Sequence, residues 1–317
     1  MNSNEFFKQL DEFTREAYEK LKIDYSSGAK KTWNNYGPYT QPTSGHVMHY
    51  TASADSPSRL TNIMRRFRLN QWIMRKGKKS AGVGISFTIF DKFHDKLADV
   101  RKNYPDLYSG LLHGDVLHWG LDICWYSSNW ANKWTHGTEL RNAGKLKKGQ
   151  DWKGRTPVEV RGMLAEPFTD GQILDSVEVC RNLKKVQGEH FKMVDFMSHH
   201  LIHPNKWDAW PHYPFSRVKR AICNETELSL DNYIEELNDI RCPPVIDDST
   251  AEDFLVAMGY LIRPNINANE AMRTYLNDDV PTAIGYFQQK KDLKPTGKLD
   301  SSTLKAMEAV RRAYKLR

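Results

Sequence analysis

The stretch Ser198-His199-His200-Leu201-Ile202-His203-Pro204-Asn205-Lys206-Trp207-Asp208-Ala209-Trp210-Pro211 brings imidazoles, an ammonium and a carboxylate into fourteen residues. It follows the Val194/Met197 apolar run and leads into a proline-rich turn. His200 and Asp208 are candidates to hold one zinc ion, with Lys206 two residues before the carboxylate and directed into the same site. Zinc accepts imidazole nitrogen and carboxylate oxygen, and a catalytic zinc takes three protein ligands and keeps a fourth position open. The third ligand must then come from elsewhere in the chain, and His49 is the candidate.

Histidines clustered in sequence are, taken alone, more often a surface group without metal. His199 and His203 stand one helical turn apart, as in a helical zinc pair, but Pro204 stops a helix there and no HExxH pattern surrounds them. The spacing that favours a metal site is His200, five residues, Lys206, one residue, Asp208. In this the stretch resembles the zinc amidases of the phage-lysozyme and peptidoglycan-recognition superfamily, the N-acetylmuramoyl-L-alanine amidases. In that family a second histidine, a lysine and a final Cys or Asp ligand stand in this order.

The chain has 317 residues, a length that suggests about two domains. A hydrophobic content of 39% with 27% charged residues fits a globular protein with ordinary cores. No apolar run approaches the roughly 20 residues that span a bilayer. The start, Met-Asn-Ser-Asn-Glu-Phe-Phe-Lys, has no apolar segment of the kind a secretory signal needs. Cys124, Cys180, Cys223 and Cys242 are widely spaced without a CxxC pair, so free thiols are expected rather than a disulfide framework. The net charge of +7 favours an anionic partner. Nucleic acid, a membrane surface and an anionic cell wall all qualify. The basic residues from Arg65 to Lys79 carry no nucleic-acid-binding motif, which argues against the first.

Residues 1–44 read as an amphipathic helical brace (Phe6, Leu10, Phe13, Ala17, Leu21) followed by a polar loop. Gly45 to Tyr50 alternate as a strand, with Val47 and His49 on one face and His46, Met48 and Tyr50 on the other. His49-Tyr50-Thr51-Ala52 is similar to the end of the family's first ligand strand. Gly82 to Phe90 read as a buried strand, similar to the family's second, with Ile85 where a tyrosine is often found. In the phage-lysozyme branch that tyrosine assists catalysis, so one expected group is missing. Residues 92–113 are an expected insertion with a helical piece, and strand signals resume at Asp115. Trp125-Tyr126 and the following residues resemble a Trp-His-Ala-Gly stretch, with Tyr126 in place of a non-ligand histidine. Thr135 to Asn142 resemble the family's Ser-x-Gly-x-Glu-Leu strand, which puts Glu139 where relatives with an aspartate ligand place a carboxylate beside zinc. A plain ion pair with Arg141 is the alternative for Glu139. Residues 143–165 read as a loop. Thr169-Asp170 opens a helix with the stripe Ile173, Val177, Cys180 and Leu183, and a short helix around Phe191 to Asp195 leads to His200.

These expectations give an α/β amidase domain over 45–217, with a mixed central sheet flanked by helices, a linker with some helix over 218–248, and a small all-α unit over 249–317. In the last, Ala283, Ile284 and Phe287 share a helical face before a Gly297 turn and a helix from Ser301. It resembles the three-helix peptidoglycan-binding type 1 module.

The two resemblances imply a modular, endolysin-like wall hydrolase that cuts between N-acetylmuramic acid and L-alanine. Its implied cofactor is one Zn2+, held by His49, His200 and Asp208, which would polarise the lactyl-amide carbonyl and activate water. Glu139 is the expected base, Lys206 the oxyanion partner, and Tyr50, Thr51, Trp125 and Tyr126 expected substrate contacts. The expected partner is bacterial peptidoglycan, with no nucleic acid and no membrane span. The expected protein is a monomer made in the host bacterial cytoplasm, with holin-dependent release one route to the wall. A zinc peptidase of the stem peptide and a non-catalytic wall receptor are the alternatives. The C-terminal unit is expected to raise effective concentration on the polymer without taking part in chemistry.

Overall fold

A computed structural model describes residues 35–38, 43–51, 74–75, 78–79, 86–92, 113–114, 116–118, 123–125, 129–146, 156–203, 206–224, 228–262 and 280–313. The expected N-terminal brace, most of the 92–113 insertion, Ile85 and Tyr126 lie outside them.

The main sheet has five strands: β1 (Gly45–Tyr50), β2 (Phe87–Ile89), β3 (Val116–His118), β4 (Thr135–Leu140) and β5 (Phe196–Ser198). Their order is β5-β1-β4-β2-β3, parallel except for the antiparallel pair β2–β3. This is the mixed sheet expected of the α/β domain. The alternation in β1 also holds. Met48 joins Phe87, Leu140 and Phe196 in a core on one face, whereas Val47 joins Met197 in a second core.

Helix α1 (Asp170–Gln187) covers the first face. Its start follows the sequence signal: the Thr169 hydroxyl accepts from the Gln172 N–H, and the Gln172 side chain returns to the Thr169 backbone as a capping box. Ile173, Val177, Cys180 and Leu183 all enter the core, as their helical spacing requires. After two 3-10 turns, 188–190 and 193–195, the chain runs as β5 and not as a helix. A single helical turn, α2 (His199–Ile202), follows. Residues 158–165, expected within a loop, form an antiparallel hairpin.

The expected linker is part of the folded body. Helix α3 (Phe215–Asn224) places Val218, Ala221 and Ile222 in the first core at i, i+3, i+4 spacing, and α4 (Tyr233–Asp239) adds Tyr233. Acidic residues that suggested a linker are on the outer side, where Glu236 pairs with Arg217 at 2.5 Å. The C-terminal unit contains α5 (Ala251–Ala257), α6 (Val280–Lys290) and α7 (Ser301–Ala313). Ala283, Ile284 and Phe287 point inward together, and Gln288 ties the Gly297 turn to α7 through Thr296, Lys298 and Thr303. Phe254, Leu255, Ile284 and Phe287 share their core with Val47, Met197, Leu201 and Ile202. The C-terminal helices therefore cover the second face of the sheet. No helix among the described residues is long and apolar enough to cross a membrane.

Gly45 starts β1 against the turn that leads into β5. A Cβ there would lie 2.6 Å from the Asp195 carbonyl oxygen and 3.1 Å from its carbonyl carbon, backbone atoms that cannot swing away. Gly45→Ala is expected to destabilise the fold by about 1–3 kcal/mol, as overpacking does. A denaturant midpoint equal to that of the parent chain would contradict this.

Candidate metal and catalytic site

The site is built by strand register. Parallel pairing sets His49 opposite Glu139, so the last turns of β1 and β4 present an imidazole and a carboxylate side by side. On the other side Ser198 pairs with Met48, so His199 leaves the end of β5 next to His49. The Ser198 hydroxyl accepts from the His200 N–H and donates to the Asp208 carbonyl at 2.8 Å. That carbonyl also takes the His200 N–H at 2.8 Å. These bonds fold the segment around Asp208 back against α2.

Three ligand atoms converge as a result. His49 Nδ1 is 2.9 Å from His199 Nδ1 and 3.1 Å from Asp208 Oδ2, and His199 Nδ1 is 2.9 Å from that same oxygen. All three residues are buried, and they form a group able to hold a metal ion among the described residues. A tetrahedral ion with bonds near 2.0–2.1 Å needs ligand atoms about 3.3 Å apart, close to this triangle. The donor set also suits zinc: two imidazole nitrogens and a carboxylate oxygen. One cation accepts all three lone pairs, whereas two ring nitrogens facing each other share at most one proton.

The protonation states agree. Burial, then the neighbouring His199, lowers His49 to about 4, and burial lowers His199 as well. Both rings are thus neutral near pH 7, as ligands must be. Burial alone would raise the Asp208 carboxyl, but the facing His199 and His49 hold it well below the usual range. Glu139 behaves oppositely. Burial first, and the Asp208 charge second, push it up to about 8, and its Oε2 has no hydrogen-bond partner among the described residues. Lys206 opposes that shift, which puts its ammonium within electrostatic reach of Glu139.

His200, expected as a ligand, is turned away from this group. Its ring stacks on Trp210 with centroids 4.6 Å apart and on Trp207 at 5.7 Å. His199 takes the expected position because β5 runs to Ser198, and shifting a strand by one residue exchanges the faces of all its side chains. Phe196-Met197-Ser198 is buried along its whole length, so no alternation within it marks which of the following residues turns toward His49. His203 is half-buried, with its ring edge-on to His199 at 5.4 Å. His46 bonds to the Thr138 hydroxyl at 2.8 Å within the sheet.

Of the expected substrate contacts, Tyr50 is half-buried beside the site, its hydroxyl pushed to about 12 by burial and then by Asp208. Thr51 extends the β1–β4 pairing, with its N–H on the Leu140 carbonyl at 3.0 Å and its hydroxyl on the Asn142 carbonyl at 3.2 Å. Trp125 belongs to a strand paired with Asn35–Pro38 in a two-stranded sheet distinct from the main one. Arg141, the alternative partner for Glu139, instead donates to Glu166 at 2.9 Å.

Residues 247–307 match the family model of the putative peptidoglycan binding domain. A search of curated proteins finds no match. Similar solved structures include AmpDh3 from Pseudomonas aeruginosa, with a TM-score of 0.38, 14% identity and coverage of 92% of this chain and 98% of that one. Its complex with anhydromuramic pentapeptide gives 0.39, 14%, 92% and 98%. The N-acetylmuramyl-L-alanine amidase AmiD from E. coli, in complex with anhydro-N-acetylmuramic acid-L-Ala-D-gamma-Glu-L-Lys, gives 0.37, 16%, 87% and 91%.

Proposed function

We propose that this chain is a zinc-dependent hydrolase of bacterial peptidoglycan that cuts the amide between N-acetylmuramic acid and L-alanine. The observation that carries the reading is the convergence of His49 Nδ1, His199 Nδ1 and Asp208 Oδ2 beside the buried Glu139. The polymer is suggested by residues 247–307, and the net charge of +7 suits an anionic wall. The resemblance of His49-Tyr50-Thr51-Ala52 and of the Glu139 strand to the zinc amidases selects the lactyl amide over bonds within the stem peptide. An endolysin-like, wall-lysing setting belongs to the proposal, and loss of turbidity on adding the protein to bared sacculi reads it.

His49, His199 and Asp208 would hold the ion, which when bound supplies Lewis-acid polarisation of the amide carbonyl and makes water nucleophilic near neutral pH. Glu139 takes the proton from the attacking water at a carboxylate oxygen. It then delivers that proton to the departing L-alanine nitrogen as the C–N bond breaks. Burial raises the proton affinity of Glu139, which suits the second half of this exchange. Glu139 would be drawn down again by positive charge held at the trio, which suits the first half. Lys206 offsets negative charge that gathers on the carbonyl oxygen.

The metal assignment distinguishes two neighbouring histidines. The purified chain is expected to carry about one zinc, lost on changing His49, His199 or Asp208 to Ala and retained in His200→Ala. Elemental analysis of the gel-filtered proteins decides it, and zinc kept by His199→Ala but lost by His200→Ala would overturn the ligand set.

Glu139→Gln preserves shape while removing the base. It should keep its zinc and melt near the parent temperature, yet lose on the order of 10²–10⁴-fold in turnover. Mass spectrometry of digested sacculi should show free stem peptides with an L-alanine amino terminus and intact glycan strands. Fragments cut inside the stem peptide would instead make the chain a peptidase.

A further inference from the structure

Helix α2 carries His199 and is only four residues long. The last four carbonyls of any helix lack partners within it, and an isolated single turn is unstable. Here the His199 carbonyl accepts from the His203 N–H at 3.1 Å, which stays within the local chain. The next two carbonyls are satisfied from far away. Lys290 Nζ donates to the His200 carbonyl, 90 residues distant in sequence. The Tyr260 hydroxyl donates to the Leu201 carbonyl at 3.1 Å, 59 residues distant.

Both donors belong to the C-terminal unit: Lys290 ends α6, and Tyr260 follows α5. Lys290 is only 6% exposed. Among the described residues no carboxylate lies within ion-pair range of it, and the Tyr260 ring sits 5.9 Å from its nitrogen. Burying an ammonium is expensive unless it is hydrogen-bonded, and the group it bonds is the residue after His199. A cation at the carbonyl end of a helical turn is also favoured by the peptide dipoles. From the same unit, the Tyr286 hydroxyl donates to the Asp195 carboxylate at the approach to β5. Leu201 and Ile202 close the contact by sharing a core with Phe254, Leu255, Ile284 and Phe287.

We propose that the C-terminal unit is a structural part of the metal centre, with Lys290 and Tyr260 as positioning residues that cap α2 and hold His199 in its ligating orientation. This rests on the metal site proposed above and gives the unit a second role beside any hold on the polymer. A module on a flexible linker would raise only effective concentration. A module that supplies donors to the ligand-bearing turn sets metal affinity too. Substitutions that disturb the partners of a metal ligand typically cost about 10–100-fold in affinity or activity.

The test uses the full chain with three substitutions that leave α2 itself intact. Tyr260→Phe removes one hydroxyl, Lys290→Met removes the ammonium but keeps the stem, and Lys290→Gln restores a neutral N–H donor. Met307→Ala, inside the same unit but without a bond to α2, is the control for general loosening. Zinc affinity is read by competition with a chelator, and kcat and KM are read on soluble muropeptides, which remove any contribution of wall anchoring. Tyr260→Phe and Lys290→Met should each bind zinc about tenfold or more weakly and lose kcat with little change in KM. Lys290→Gln should recover part of the loss, and Met307→Ala should keep parental affinity for zinc. Parental zinc affinity in both Tyr260→Phe and Lys290→Met would overturn the proposal, as would an equal loss in Met307→Ala. A parent chain that takes up no zinc overturns the proposed function instead, so the two failures are told apart.

Discussion

The constraint on which the site depends is the parallel register across β5, β1 and β4. Three strands that are remote in sequence end at the same level of the sheet, with Ser198 opposite Met48 and His49 opposite Glu139. Side chains alternate strictly along a strand, so this one alignment decides which groups meet. A slip of one residue in β1 would bury His49 among the apolar side chains under α1 and leave Met48 beside Glu139. The apolar demand of Met48, Phe87, Leu140 and Phe196 for the first core resists such a slip. The chemistry on one face is thereby fixed by packing on the other.

Electrostatics then separates two carboxylates that share one site. Asp208 faces two imidazoles and stays ionised despite its burial. Among the described residues Glu139 has no such partner, and burial raises it to about 8. A pair of titratable groups driven apart in this way is the usual basis for dividing labour between a ligand or stabiliser and a proton carrier. The division follows from position alone. Asp208 is pulled into the histidines by the backbone bonds of its own carbonyl, while Glu139 is held on a central strand beneath them.

How far the sequence foretold this arrangement depended on the length of each signal. The six-residue alternation of β1, the capping box at Thr169 and the apolar stripe of α1 are local and self-contained, so they could be read directly. His49, Glu139 and Asp208, which the structure brings close together, were named from a family resemblance and not from these local patterns. His199 was missed because β5 has three residues and its pairing partner is about 150 residues away, so no local pattern fixed its parity. The spacing of His200 to Lys206 and Asp208 pointed to the residue next to the one that the structure brings beside His49 and Asp208. The ring stack of His200 on Trp207 and Trp210 is a tertiary fact with no period to reveal it. Residues 218–248 read as a linker with some helix because of their acids and prolines, and three apolar residues at helical spacing, Val218, Ala221 and Ile222, place α3 against the first core.

The placement of the C-terminal unit follows from the type of sheet it meets. Strands β5, β1, β4 and β2 are parallel, and parallel strands are found almost always with both faces covered. Helices α1 and α3 cover the Met48 face, which leaves Val47, Met197 and the apolar side of α2 without a layer of their own. Among the described residues, the helices that bury these groups are those of the C-terminal unit. Once such a layer is apolar enough to complete the sheet, its polar residues at the seam must find partners there too. Lys290 and Tyr260 find them in the His200 and Leu201 carbonyls of α2. Covering the sheet and bracing the turn that bears His199 are thus two results of one packing requirement.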